Sequence, residues 1–186
     1  AIAIGLGIIA GSWIVYELIC SSPIAKNGFV ISALLIVFAT ITAYCLAQLF
    51  SGRGAYIHFG AVIGTLMAGN VFRVIIPGQK ALVTAIKNGV EPDEKWAIKA
   101  KLHSTHNTYL TLPLLFIMIS NHYPITYDHH LNWLILLAIT AITAVARQFF
   151  ILKHKGIHRP TLLLVSAMAT LISVSYTHLR AHETRH

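Results

Sequence analysis

The chain has 186 residues, of which 56% are hydrophobic and only 11% are charged, and its mean hydropathy is +0.69. Soluble domains typically carry about 25% charged residues, and a single core of this size could not bury so much apolar surface. The composition therefore excludes an ordinary soluble domain and indicates a chain that is solvated by lipid.

The two cysteines, Cys20 and Cys45, lie in or beside apolar stretches. Because there is no second pair, they predict neither a disulfide framework nor a thiolate zinc site. Eleven histidines are the unusual feature of so apolar a chain.

Six apolar stretches predict helices that cross the membrane. A bilayer core about 30 Å thick needs about 20 apolar residues in a helix, and no two-residue alternation indicates a barrel. Breakers such as Pro77-Gly78 and Lys155-Gly156 separate the stretches. The predicted fold is thus all-α, a polytopic transmembrane helical bundle with spans at about 2–19, 29–50, 56–76, 103–120, 131–152 and 161–174.

The sequence at both ends indicates that the chain is a fragment. The chain begins inside an apolar run without a Met or a basic leader, which does not fit a signal peptide. The last span covers only about 21 Å at about 1.5 Å per residue. Residues 175–186 resemble translated sequencing adapter, so we expect residues 1–174 to be a partial membrane domain and His178, His182 and His186 to have no role.

Basic residues are distributed unequally over the two sides of the predicted bundle. One side carries only Arg53. The other holds the 77–102 and 153–160 connections, and its basic residues are Lys26, Lys80, Lys87, Lys95, Lys99, Lys101, Lys153, Lys155 and Arg159. The positive-inside rule makes this second side cytoplasmic. Topology therefore accounts for the net charge of +8, and we expect a lipid bilayer but no nucleic acid as a partner.

The long connection 77–102 is predicted to be partly helical. Residues 79–87 place apolar side chains on one face, and Asn88-Gly89 provides a stop. A second helix is expected to begin near Asp93 and to run into the fourth span. The chain has no phosphate-binding glycine loop and no spacing typical of a nucleophile triad.

Histidine in the third span has two interpretations. His58 opens this span, and its helical face continues through small residues, with Gly60 and Gly64 beside it. Such a pattern permits the close approach of a helix or of a flat ring. His58 is therefore either a metal or cofactor ligand, or an interfacial residue next to glycines that only pack helices.

The fourth span carries a polar stripe. His103, His106 and Asn107 share one helical face at positions i, i+3 and i+4, and neutral imidazole is a ligand for haem iron and other metals. The alternative is that both histidines lie in the headgroup layer. We expect this alternative for His103, and both interpretations stay open for His106.

Asn121 and His122 end the fourth span on the same predicted side as His58. A pocket near the outer surface, between the third and fourth spans, is therefore predicted. Asn70 lies at mid-depth and needs a hydrogen-bond partner, so we expect it to bond between helices. The loop histidines are expected to be solvated.

Three strings carry a resemblance to a known family: HFGAVIGTLMAGNVF at 58–72, IIPGQ at 75–79 and HNTYLTLPLLFIMISNHYP at 106–124. Together they resemble the membrane domain of bacterial membrane-bound urate hydroxylases, the urate oxidase N-terminal family. The resemblance implies an eight-helix domain of the bacterial inner membrane, followed by a c-type cytochrome domain. Members oxidise urate to 5-hydroxyisourate, with water as the oxygen source and cytochrome c as the electron acceptor.

The resemblance also implies how this chain would take part. It would supply helices three to eight, while the c-type haem would belong to a missing C-terminal domain, since no Cys-x-x-Cys-His occurs here. The predicted site places His58, Asn121 and His122 near the outer face, with His106 and Asn107 deeper. The predicted roles are catalysis for His106, Asn107, Asn121 and His122, binding of a b-type haem for His58 and His106, and metal ligation for His58, His103 and His122.

Three other functions compete with urate oxidation. A membrane cytochrome b-like subunit would only relay electrons, and it would need paired histidines at matched depth on two helices. A permease or metal-handling protein would need a polar conduit or a cluster of Met and His ligands. A purely structural membrane subunit would need neither.

Overall fold

The computed structural model describes the backbone of residues 2–120 and 122–183, and the side chains of these residues except 125 and 176–183. The described residues form helices and no strands, which confirms the all-α prediction. The helices are α1 (Ile2–Ser21), α2 (Gly28–Leu49), α3 (Gly52–Asn70), α4 (Ile76–Lys87), α5 (Glu94–Ser120), α6 (Pro124–Tyr127), α7 (Asn132–His154) and α8 (Pro160–Glu183). A 3₁₀ turn at Pro23–Lys26 joins α1 to α2.

Four helical segments of the described chain are long and apolar enough to cross a membrane: α1, α2, the continuous segment Gly52–Lys87 and α7. Large apolar side chains are exposed along them, for example Ile2 at 81% and Phe29 at 84%. Exposure on this scale is expected where lipid rather than water surrounds the helices. The predicted fourth span, 103–120, lies within α5 and is not one of these four, because its first part is polar, with His103, His106 and Asn107.

Helix α3 occupies the centre of the bundle, where it packs against α1, α2 and α5, while α5 also packs against α7 and α7 against α8. One buried cluster includes Leu46 of α2, Tyr56 and Phe59 of α3, Ile117 of α5 and Leu136 of α7. The α1, α3 and α5 faces therefore meet inside the bundle, away from lipid.

The expected break at Pro77-Gly78 is wrong, because α3 continues into α4 through a wide π-helical segment at Val71–Ile75. Proline breaks a helix when its missing N–H and its ring disturb the preceding turn. Here the π segment resets the register, so that Pro77 falls in the first turn of α4, where no N–H is needed. The long helix then ends as predicted, at Asn88 and at Gly89 with φ of 65°.

Helix α5 begins at Glu94, close to the expected start at Asp93, and runs through the fourth predicted span to Ser120. Helix α8 extends beyond 174 to Glu183. The side chains of His178 and His182, and the whole of His186, lie outside the described residues. The interpretation of 175–186 as a non-native tail stays a prediction.

Candidate functional site

Polar side chains gather at the interface of α1, α3 and α5. Tyr16 and Cys20 come from α1, Asn70 from the end of α3, and His106 and Asn107 from α5. Tyr16 and Asn70 are each 1% exposed. We call these five residues the polar cluster. Because a polar group in an apolar interior must be paired, the hydrogen bonds of the cluster determine its chemistry.

A backbone carbonyl sets the direction of these hydrogen bonds. The oxygen of Met67 can only accept, so Asn107 donates to it from Nδ2 at 3.0 Å. Asn107 Oδ1 then accepts from Asn70 Nδ2 at 2.7 Å, and Asn70 Nδ2 also donates to the Tyr16 hydroxyl at 2.9 Å. The Tyr16 proton is therefore directed to His106 Nδ1, which lies 2.9 Å away.

This chain of bonds determines the state of His106. Nδ1 accepts a hydrogen bond from the Tyr16 hydroxyl in this arrangement, which favours the neutral tautomer with its proton on Nε2. Cys20 Sγ is a further, weak contact of Nδ1 at 3.8 Å. No hydrogen-bond partner of His106 Nε2 is found within the described part of the chain, so this N–H is a donor available to a ligand.

A second set of polar groups lies beside the polar cluster. Lys99 Nζ is 3.1 Å from Glu17 Oε1, and His103 Nε2 is 3.5 Å from Glu17 Oε2. His103 Nδ1 donates to the Lys99 carbonyl at 3.0 Å. Because Nδ1 holds the proton, the neutral ring presents an unprotonated, basic Nε2 towards a carboxylate. We call Glu17, Lys99 and His103 the charged set.

Tyr16 joins the two sets. Its ring meets His103 edge-on, with centroids 6.0 Å apart, and His106 at 5.9 Å. Both sets lie where α1 ends and α5 begins, at the end of the bundle that carries the lysine-rich connection. Glu17 and Lys99 keep 29% and 41% of their side chains exposed, whereas His103 is completely buried. The charged set therefore links the polar cluster to the outside of the bundle.

Close packing of α1 on α3 makes this arrangement possible. A Cβ atom at Gly69 would overlap the indole of Trp13, so glycine lets α1 approach α3 one residue before Asn70. Arg73 lies 4.8 Å over the same indole, in the π segment that follows Asn70. Of the two glycines beside His58, Gly60 allows the predicted close approach, because a Cβ there would lie 2.9 Å from the Ile117 side chain of α5, whereas Gly64 has open space where a Cβ would stand.

A cavity of about 360 Å³ adjoins His106. Aliphatic and aromatic side chains form most of its wall, among them Leu35, Phe38, Phe59, Val62, Ile63 and Leu66. Tyr16, Tyr109 and a few hydroxyl side chains add polar atoms. The cavity lies between five helices of the bundle, and His106 is part of both its wall and the polar cluster.

Two predicted site residues of α5, His106 and Asn107, belong to the polar cluster. His103 was expected in the headgroup layer, and this stays a prediction; the structure shows that the residue has no exposed surface and lies beneath Tyr16. Tyr16 and Glu17 of α1 cover it. Asn70 bonds between helices, as its depth predicted.

The end of the bundle at which α1 and α3 begin, which is the predicted outer end, does not assemble a comparable site from its described residues. His58 stacks on Phe50, with centroids 4.1 Å apart, and donates from Nδ1 to the Gly54 carbonyl at 2.8 Å. Its Nε2 is packed against Gly5 of α1. His122 is exposed after the end of α5, and Asn121 lies outside the described residues.

The residues predicted to ligate a metal do not come together. His103 lies in the first half of α5, whereas His122 follows the end of this helix and His58 lies near the start of α3. Across 2–120 and 122–183, no group of three or more His, Cys, Asp or Glu residues is arranged to hold a metal ion.

The predicted haem ligands, His58 and His106, do not fit a b-type haem. A ligating histidine must present an unprotonated ring nitrogen to the iron. In His106, Nδ1 is bonded to Tyr16, which leaves Nε2 as the nitrogen for a ligand. In His58 the free nitrogen faces the backbone of Gly5, with no space for a flat ring between them.

Three functional candidates on α1 were not identified from the sequence: Tyr16, Glu17 and Cys20. Glu17 carried a recognisable signal, because a carboxylate inside an apolar span is costly and marks a functional site. Tyr16 and Cys20 share one helical face at positions i and i+4. This spacing alone does not show which helix the face meets.

One comparison with known proteins adds to this geometry. The model of the family described as urate oxidase N-terminal matches residues 1–178. No curated protein and no solved structure matches the chain. The family match relates the chain to urate oxidation.

Proposed function

We propose that this chain, which belongs to the urate oxidase N-terminal family, is the membrane part of an enzyme that oxidises urate to 5-hydroxyisourate and passes the electrons to a cytochrome c. The observation that carries the proposal is the buried polar cluster with its charged set, inside a bundle that is otherwise apolar. Ionisable and amide groups at such depth are expensive and are expected to serve a function.

The reaction defines what the site must provide. Urate and water give 5-hydroxyisourate, two protons and two electrons. A base must take a proton from the attacking water, hydrogen-bond donors must hold the purine oxygens, and an acceptor must remove the electrons. A cation must also compensate the charge of the urate anion.

His103 is the residue with the geometry of a base. Its Nδ1–H is held by the Lys99 carbonyl, which leaves the Nε2 lone pair available. Glu17 stands 3.5 Å from Nε2 and stabilises the imidazolium that forms when Nε2 takes a proton. His103 is thus the general base, and Glu17 is the carboxylate that stabilises its charged form. Lys99 lies at the exposed edge of the charged set, where an anion approaches.

His106 is the residue with the geometry of a donor. Because Tyr16 holds Nδ1, the His106 ring keeps one orientation next to His103, with ring centroids 6.3 Å apart. Two buried atoms, Asn70 Oδ1 and His103 Nε2, have no hydrogen-bond partner within the described residues. Buried polar atoms are normally paired, so these are the atoms that we expect urate or the reacting water to contact.

The test measures urate consumption and cytochrome c reduction by the complete gene product in native membranes. We expect His103→Gln and Glu17→Gln to reduce kcat by about 100-fold or more, the usual contribution of acid–base catalysis. His122→Ala, at the exposed outer end, serves as the control and should keep wild-type turnover. Unchanged turnover in the His103 variant would refute the assignment of the base.

A cytochrome b-like relay is less well supported by this geometry. Such a protein needs two histidines facing each other across a haem, and the Nε2 of His58 is packed against Gly5, with no space for a haem beside it. Urate oxidation at the α1–α3–α5 interface is therefore the function we adopt.

A further inference from the structure

The 360 Å³ cavity has a composition that does not suit urate. Urate is an anion with polar atoms around its whole edge, and each of these would need a partner on burial. The cavity wall is instead mostly aliphatic and aromatic. Its ligand must therefore be largely apolar.

The polar groups of the cavity wall are almost all occupied. The hydroxyls of Ser32, Thr42 and Thr140 donate to carbonyls of their own helices, at 2.7–2.8 Å. Tyr109 donates to Gln148. Among the described wall residues, His106 Nε2–H is the donor left for a ligand. The ligand that fits is thus an apolar ring with a hydrogen-bond acceptor at one end.

The cavity is also placed so that a lipid-soluble molecule can enter it. Ser32 and Ile36 of α2 stand at its rim, and Ile36 is 65% exposed on the lipid-facing surface of the bundle. A ring inside the cavity can therefore keep an apolar tail in the bilayer. Its acceptor end reaches His106, next to Tyr16 and the polar cluster.

We propose that the cavity binds a quinone of the membrane pool, whose ring carbonyl accepts a hydrogen bond from His106 Nε2. This proposal rests on the proposed function for its redox role only. Urate oxidation releases two electrons at once, whereas a cytochrome c accepts one. A bound quinone resolves this mismatch, because it takes two electrons together with two protons and returns the electrons singly.

The electrons and atoms balance in two steps. Urate, water and quinone give 5-hydroxyisourate and quinol, because the two electrons and two protons released by urate and water reduce both quinone carbonyls. Quinol and two oxidised cytochrome c molecules then give quinone, two reduced cytochrome c molecules and two protons. The polar cluster lies between the charged set and the cavity, so one set of residues contacts both reactants.

Binding is tested on the full chain in lipid nanodiscs free of quinone, with a benzoquinone carrying a ten-carbon tail as the probe. We expect Ala39→Phe and Ala144→Phe, which fill the cavity from α2 and α7, to weaken binding at least tenfold. Ala33→Phe adds the same ring to the exposed surface of α2 and should leave binding unchanged. His106→Phe should also weaken binding about tenfold, as expected from the loss of a hydrogen bond of about 1.4 kcal/mol.

Two results would overturn the site. Equal binding in Ala39→Phe, Ala144→Phe and wild type would place the quinone elsewhere. Equal competition by a ten-carbon alcohol, which lacks the ring, would assign the cavity to lipid acyl chains. Circular dichroism of each variant, with a helical spectrum like that of wild type, verifies that the comparison concerns folded protein.

A second measurement separates this proposal from the proposed function. The complete gene product, depleted of quinone, should lose urate-dependent cytochrome c reduction and regain it when quinone is added. Unaffected cytochrome c reduction after quinone depletion would refute electron transfer through quinone and leave urate oxidation standing. Binding that depends on Ala39 and Ala144, in a protein that never consumes urate, would refute urate oxidation and leave the quinone site standing.

Discussion

The two ends of the bundle contain the same kind of residue in different surroundings. At the α1–α3–α5 interface, His103 and His106 are linked through Tyr16, Asn70 and Glu17. At the outer end, His58 is satisfied by its own helix and by Phe50, and His122 is exposed. A membrane histidine therefore indicates a site when side chains of another helix contact a ring nitrogen, as Tyr16 and Glu17 of α1 do here.

The largest difference between the two ends should appear in catalysis. We expect His106→Ala to lower kcat for urate by about 100- to 1,000-fold, within the range of a lost acid–base or donor group, because the polar cluster loses its oriented ring between the charged set and the cavity. His58→Ala should change kcat less than about twofold. Steady-state kinetics of the complete gene product in membranes measure both. Equal losses in the two variants would remove the distinction between the ends.

The next largest effect should be on stability at the interface. Asn70→Leu leaves Asn107 Oδ1 without its donor and removes a bond to Tyr16. We expect a loss of about 1–3 kcal/mol of unfolding free energy, the cost of an unsatisfied buried polar group. Denaturation in mixed micelles measures it. The control is Thr40→Ala, where an exposed hydroxyl bonds only its own helix, and a comparable loss there would contradict the explanation.

Alanine substitution at two glycines of α3 should change the unfolding free energy in opposite directions. Gly69→Ala forces a methyl group into the Trp13 indole, and overpacking of this kind costs about 1–3 kcal/mol. Gly64→Ala meets open space and should stabilise the helix by about 0.5–1 kcal/mol. Thermal unfolding of the two single variants measures the difference. If both changes stabilise the protein, the α1–α3 contact at Trp13 is not tight.

The smallest effect should follow from Lys99→Met. The pair of Lys99 and Glu17 is partly exposed, so we expect a change in stability of at most about 1 kcal/mol. The KM for urate should rise more clearly than kcat falls, because Lys99 compensates the charge of the anion at the exposed edge. Kinetics at low ionic strength measure this split. A fall in kcat at constant KM would instead assign Lys99 to the reaction step.

Much of the fold was predictable because lipid imposes strong rules on composition. The helical class, most helix limits and the stop at Asn88-Gly89 follow from apolar length and from local backbone preference. The error at Pro77-Gly78 has a local cause. The π segment Val71–Ile75 shifts the helical register before Pro77. A prediction that assumes regular α-helical geometry does not include such a shift.

The candidate site was predictable only in part. The face shared by His103, His106 and Asn107 follows from helical spacing on α5 alone, so it needed no knowledge of neighbours. Tyr16 and Cys20 were missed because their contacts are made between helices. Pairing them with α5 requires knowing which face of α1 meets it.

The amino-acid sequence determines that this chain forms apolar helices and where most of them begin and end, since both depend on local composition. The tertiary structure decided which faces meet, which histidines lie buried and which groups contact their ring nitrogens. The physical reason is that helices such as α1 and α2 are apolar around their whole circumference, because lipid and protein interior accept the same side chains. Because no polar stripe marks the outward face of these helices, only packing through residues such as Gly69 and Trp13 selects which helices contact each other.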